Sequence, residues 1–205
     1  MSIDFTSTEP LTSNQRVLLQ QQEAQQKQAA QIARATGDTR TALTAYFKLI
    51  PIQDRLYSID SLQVAESFAE AGLLLMESGR PDAAEEAYMQ VLKVRDDARW
   101  GGLGMGERRD AVAAREWMGK AKEGLGKYVE AREVRMRGKD DDVVLCSSSE
   151  CSKDPLKLSE LNQCGGCRCR FYCSTSCQKS DWRRHKRFCQ EHGARAKAQI
   201  NIAGI

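Results

Sequence analysis

Eight cysteines crowd into the stretch from Cys146 to Cys189, at positions 146, 151, 164, 167, 169, 173, 177 and 189. His185, one of only two histidines in the chain, lies among them. With Cys169 set aside, the spacing reads C-x4-C-x12-C-x2-C-x5-C-x3-C-x7-H-x3-C. The ligand-type residues therefore fall into four close pairs: Cys146/Cys151, Cys164/Cys167, Cys173/Cys177 and His185/Cys189. Four such ligands close one tetrahedral structural zinc site, so eight imply two zinc ions. Each pair has knuckle or one-helical-turn spacing, which turns both donor atoms toward one metal. Neither set leaves a coordination position open, which argues against zinc-assisted hydrolysis.

Other cysteine chemistries fit less well. A disulfide framework needs an oxidising compartment. Met1 to Pro10 carries Asp4 and Glu9, no basic residue and no apolar core, so it is not expected to act as a secretory signal. A catalytic thiol has no use for seven partners, and four ordered pairs are far stronger evidence of metal than a lone CxxC.

The stretch resembles the MYND-type zinc finger. The resemblance rests on the eight ligands in order, on Tyr172 before the fifth, and on the run C-S-T-S-C-Q-K-S-D-W-R-R-H-K-R-F-C from Cys173 to Cys189. It covers about a quarter of the chain. It implies interleaved ligation, with Cys146, Cys151, Cys173 and Cys177 on one zinc and Cys164, Cys167, His185 and Cys189 on the other. Two departures stand out. The first pair is C-x4-C where the family usually has C-x2-C, and Cys169 is an extra cysteine that could replace Cys167 in a C-x4-C pairing.

A module of about forty-five residues buries too little apolar surface to fold alone. Structural zinc makes up the deficit, at roughly 10–16 kcal/mol of apparent binding free energy per site. Phe171, Tyr172 and Phe188 are expected to fill the space between the knuckles. Trp182 either joins them or forms part of an exposed binding surface. Residues 146–205 hold 11 basic and 5 acidic side chains, formally +6. Seven ligand thiolates and two zinc ions bring that to about +3.

The elements that carry this module and precede it read as helices. The expected architecture is mainly α: a helical-hairpin array over 13–138, a small two-zinc module over 143–192, and tails at 1–11 and 194–205. Thr12-x-x-Gln15 has capping-box form and opens a helix from Ser13 to about Thr36, with Leu18, Leu19, Ala24, Ala29, Ile32 and Ala33 as its apolar pattern. Asp38 opens a second helix, with Leu43, Tyr46, Phe47 and Ile50 facing inward and Pro51 expected to stop it.

A repeat is visible: Gly37 with Ala42, Gly79 with Ala84, and Gly126 with Ala131, each alanine five residues after its glycine. Glycine supplies the tight helix-to-helix turn and alanine allows close packing. The glycines are 42 and 47 residues apart, longer than the 34 of a standard tetratricopeptide repeat. The pattern resembles tetratricopeptide-repeat hairpins, most clearly over Ser61–Asp97, with Pro81 in the first turn of the second helix. The extra length is expected in Pro51–Asp60 and Asp96–Gly106.

Gly101-Gly102-Leu-Gly104-Met-Gly106 lacks GxGxxG spacing and a P-loop lysine and reads as a connection. A third hairpin is expected from Glu107–Gly124 and Lys127–Arg137, its Ala131–Arg137 segment alternating in charge as a solvated face. Residues 194–205 either extend the last helix or dock Ile200, Ile202 and Ile205 on the repeats. No apolar run approaches the ~20 residues needed to span a membrane.

Together these readings lead to a non-enzymatic zinc adaptor that binds proteins through two modules. The MYND resemblance implies partner segments that often contain proline. Transcriptional regulation is one setting, and the expected location is cytoplasmic, nuclear or both. The alternative is a nucleic-acid-binding regulator using Lys179, Arg183, Arg184, Lys186 and Arg187 around His185, joined by Arg168 and Arg170. Some MYND proteins carry a lysine-methyltransferase domain, but nothing here has its length or strand-rich pattern, so no enzymatic activity is expected.

Overall fold

The structure is a computed structural model that describes residues 9–96, 108–137 and 143–204. The expected Gly101–Gly106 connection lies outside these residues. The chain forms two compact units, Met1–Val94 and Arg95–Ile205. The second therefore holds not only the cysteine-rich stretch but also the two helices before it, which sequence reasoning grouped with the helical array.

In the first unit, α1 (Ser13–Ala35), α2 (Thr39–Tyr57), α3 (Leu62–Glu77) and α4 (Pro81–Arg95) follow in order. Thr12 caps α1 in a complete capping box with Gln15, and Asp38 and Ser61 cap α2 and α3 through their side chains. Gly37 and Gly79 sit at φ +73° and +69°. Each closes a Schellman motif, with Asp38 N–H donating to the Ala33 carbonyl and Arg80 N–H to that of Leu75. Ala42 and Ala84 are both fully buried. The glycine–alanine repeat thus has a physical counterpart at each turn.

Two inward faces differ from expectation. The buried stripe of α1 is Leu19, Glu23, Ala30 and Ala33, whereas Leu18 and Ile32 are exposed. In α2, Leu49 is buried and Phe47 faces out. Pro51 does not stop α2, which continues to Tyr57. A helix-interior proline costs about 3 kcal/mol. The turn beyond it is held by tertiary contacts: Ile52 and Leu56 pack on Leu19. Gln53 donates to Glu23 at 3.1 Å and accepts from Ser67 at 2.6 Å, and Tyr57 donates to Glu23 at 2.8 Å.

Burial pushes the Glu23 carboxyl up, but Lys27, Gln53 and Tyr57 more than offset this and hold it below the usual glutamate range. A folded pKa below the unfolded value of about 4.3 contributes stability above that pH, lost as pH falls through the folded pKa. The first unit is expected to weaken in acid below about pH 4.3, and Glu23→Gln to flatten that dependence in urea titrations followed by circular dichroism.

A Cβ on Gly72 of α3 would lie 2.5 Å from the Tyr88 ring of α4, and Tyr88 is fully buried. Gly72→Ala forces that ring or the helices apart and is expected to cost about 1–3 kcal/mol in urea unfolding.

The second unit contains α5 (Arg108–Gly124), α6 (Tyr128–Arg135) and α7 (Thr175–Ala203), with two small antiparallel pairs. β1 (Val143–Val144) pairs with β2 (Leu156–Lys157), and β3 (Asn162–Gln163) with β4 (Phe171–Tyr172). Gly126, at φ +73°, closes α5 with the same motif as Gly37 and Gly79, and Ala131 is fully buried on α6. α7 runs through the 194–203 segment. Ile200 docks beside Tyr128 and Cys169, while Ile202 is 87% exposed.

The expected solvated face of α6 is not one. Arg132 and Arg135 are 4% and 1% exposed, because α6 lies against the cysteine-rich stretch, where Arg132 donates to the Arg168 carbonyl and Arg135 to that of Cys169.

Candidate metal centre

Short pairings bring distant ligands together. Cys146 leads into a turn held by Ser147 N–H donating to the Phe171 carbonyl at 2.8 Å, and Cys151 N–H donates to Ser148 at 3.2 Å. Cys173 directly follows β4. Ser174 caps α7 by accepting from Cys177 N–H at 3.1 Å, which places Cys177 one turn beyond Cys173. Cys164 follows β3 and opens a second knuckle, its N–H donating to the Arg170 carbonyl at 2.9 Å and its carbonyl accepting from Arg168 N–H at 2.8 Å. His185 and Cys189 lie four residues apart on one face of α7.

The donor atoms gather into two groups, Cys146/Cys151/Cys173/Cys177 and Cys164/Cys167/His185/Cys189, each with all atoms within 4.8 Å of one another. The fit to zinc can be tested on distances. With Zn–S of about 2.3 Å and Zn–N of about 2.05 Å, a tetrahedron has S···S edges of about 3.8 Å and S···N edges of about 3.6 Å. Cys151–Cys173 and Cys173–Cys177 are 3.7 and 3.5 Å apart, and Cys164–Cys189 is 3.8 Å. His185 Nε2 lies 3.5 Å from the Cys167 sulfur and 3.4 Å from that of Cys164. These distances match the edges of coordination tetrahedra and are far longer than a disulfide bond. The two clusters fit two zinc ions.

The electrostatics agree. Burial pushes the Cys146 thiol up to about 12 and Cys189 up to about 11. Cys164 is raised by its hydrogen bond with Cys167 and then by burial. Cys167 is drawn down by Cys164 but pushed further up by Cys169 and burial, to about 12. Such buried thiols keep their protons unless a nearby cation compensates. A bound zinc supplies that positive charge and makes them thiolates. His185 is fully buried.

Cys169 belongs to neither group. Its thiol points to the carbonyls of Cys167 and Tyr128, at 3.4 and 3.8 Å, and its N–H donates to the Cys167 sulfur at 3.5 Å. Gly166 must lack a side chain, because a Cβ there would sit 2.7 Å from the Cys189 sulfur. Phe171 and Tyr172 are buried and Phe188 is half-buried, while Trp182 is 38% exposed.

A buried ion network surrounds these clusters. Arg135 of α6 pairs with Glu116 and Glu123 of α5 at 2.6 and 2.7 Å. Glu123 also pairs with Arg170 at 2.8 Å, and Arg170 with Asp181 of α7 at 3.0 Å. Tyr172 O–H donates to Asp181 at 2.7 Å, and Arg184 pairs with the other Asp181 oxygen at 2.5 Å. Burial pushes both Glu123 and Asp181 up, yet their arginine partners outweigh it and hold both carboxyls below the usual range. Sequence reasoning missed the network, because its partners lie up to 47 residues apart and nothing in local pattern marks them.

The expected basic surface is accordingly divided. Arg170 is 7% exposed and ion-paired, and Arg184 is committed to Asp181. Lys179, Arg183, Lys186 and Arg187 remain exposed, Arg187 pairing with Glu191 at 3.1 Å. His192 lies within α7, stacked on Tyr128.

Comparison with known proteins meets this geometry at the same residues. The MYND finger model matches 146–189. A SET and MYND domain-containing protein of Dictyostelium discoideum is 43% identical over 44 residues, 20% of this chain and 8% of that protein. SET domain-containing protein 14 of Caenorhabditis elegans is 40% identical over 42 residues, 20% of this chain and 10% of that protein. The chain thus spans about a tenth or less of the length of these relatives. No solved structure matches. The MYND finger is a zinc-binding, protein-interaction module, and in this chain it supplies all eight clustered ligands.

Proposed function

We propose that this chain is a non-enzymatic adaptor. Its MYND module binds protein segments, proline-containing ones among them, and its N-terminal helices act as a second, tetratricopeptide-like binding surface. It works in the cytoplasm, the nucleus or both, with transcriptional regulation as one setting.

The observation that carries this reading is the pair of closed four-ligand clusters found among the described residues, which leave no position for a substrate. Trp182, exposed three residues before the buried His185, supports a contact surface, since aromatic anchors dominate protein interfaces. The repeated Schellman turns at Gly37, Gly79 and Gly126, each followed by a buried alanine, support the hairpin part. The SET domain named in the relatives is a property of those proteins, and the similarity covers 44 and 42 residues of this chain.

Affinity capture with the intact zinc-loaded chain tests the reading. Specific proteins are expected to bind, to be lost on chelation, and to bind Trp182→Ala at least about 30-fold more weakly. No specific partner, or a set indifferent to chelation, sinks it. A second reading, nucleic-acid binding, rests on the exposed Lys179, Arg183 and Lys186. It requires DNA or RNA retention that falls steeply with salt, and no retention at low salt removes it.

A further inference from the structure

Each metal cluster has one cysteine whose following residue offers its carbonyl to an arginine. Ser147, after Cys146, accepts from Arg184 Nη2 at 3.1 Å. Arg168, after Cys167, accepts from Arg132 Nη1 at 2.7 Å, and the next carbonyl, of Cys169, accepts from Arg135 Nη1 at 3.0 Å. Arg168 adopts φ +59°, a left-handed conformation that costs a non-glycine residue energy and persists where surroundings enforce it. That conformation aims the Cys169 N–H at the Cys167 sulfur, 3.5 Å away. Arg132 also lies over the Phe171 ring, 5.1 Å from its centroid. Neither Arg132 nor Arg135 belongs to the matched finger at 146–189.

We propose that these arginines form a divided outer shell for the two metal sites. Arg132 and Arg135 of α6 position the knuckle of the Cys164/Cys167/His185/Cys189 site. Arg184 of α7 positions the knuckle of the Cys146/Cys151/Cys173/Cys177 site. Outer-shell partners orient ligands and tune metal affinity, and losing one typically costs about 10- to 100-fold. The zinc-binding unit therefore begins at α5–α6, upstream of the finger. Asp181 holds Arg184 while its other oxygen meets Arg170, which reaches Glu123 and so Arg135. Arg184 and Arg135, one from each half of the shell, are thus joined by a chain of ion pairs that does not include Arg132.

The test substitutes 113Cd for zinc in the full chain. The two sites then give separate resonances, one for four sulfurs and one for three sulfurs and a nitrogen. Each is followed through an EDTA titration. Arg132→Met is expected to weaken the three-sulfur site about 10-fold or more while leaving the other resonance in place. Arg184→Met is expected to do the reverse. Arg132→Lys, which keeps a donor for the Arg168 carbonyl, is expected to restore part of the loss. Equal weakening of both sites by either variant, loss of both together, or no change in either overturns the proposal.

Discussion

Stripping the metal with a chelator is expected to unfold the cysteine-rich segment while α1–α4 stay folded. The reason lies in what the second unit uses for a core. One buried cluster there consists of Tyr128, Cys146, Cys164, Cys167, Cys169, Tyr172, Ala196 and Ile200. Three of its eight members are clustered ligand cysteines. The four strands beside them are two residues long each, too short to hold on their own. Two sites at roughly 10–16 kcal/mol of binding free energy each outweigh the 5–15 kcal/mol typical of a whole domain. All eight cysteines lie at 146–189, so the chelator has no cysteine-held metal to remove from 13–94. Hydrogen exchange read by mass spectrometry should show lost protection across 143–189 and unchanged protection in α1–α4. Protection that survives chelation at 143–189 would count against metal as part of the fold.

Arg135→Met is expected to be the most damaging single change outside the ligands, at about 3–5 kcal/mol. Arg135 is 1% exposed and meets Glu116, Glu123 and the Cys169 carbonyl. Burial pulls its guanidinium pKa down, but the two glutamates raise it well beyond the usual arginine value. Methionine fills similar volume and leaves two carboxylates buried with less compensation, which is the costly half of breaking a buried pair. Glu123 retains Arg170, so Glu116 bears most of the loss. Adding Glu116→Gln should recover part of it. Urea unfolding followed by tryptophan fluorescence measures both variants. A cost below about 1 kcal/mol for Arg135→Met, the range of an exposed pair, would show that the network is not sealed from water.

How much was legible beforehand depended on how local each signal was. The pairs Cys173/Cys177 and His185/Cys189 could be read because both members sit one helical turn apart, and Thr12, Asp38 and Gly37 could be read because caps and turns are written within six residues. The interleaving of the ligand pairs came from resemblance, and the structure gathers the same two sets. Cys167 against Cys169 stayed open in the sequence, since both spacings suit a knuckle; the left-handed Arg168 between them turns Cys169 toward Tyr128 instead.

Pro51 misled because its local cost is real, whereas the contacts of Ile52, Gln53 and Leu56 that outweigh it come from α1 and α3. Phe47 misled because an apolar side chain signals burial only when its face of the helix is covered. Arg132 and Arg135 misled most. Alternating charge on a short helix ordinarily marks solvent, and only the fold reveals Glu116, Glu123 and two backbone carbonyls waiting for them.

Native mass spectrometry of the reduced, freshly purified chain tests the metal-built unit most directly. A mass corresponding to two zinc ions per chain is expected, with both lost to chelator as protection at 143–189 disappears. One ion, or none with that segment still protected, would contradict it.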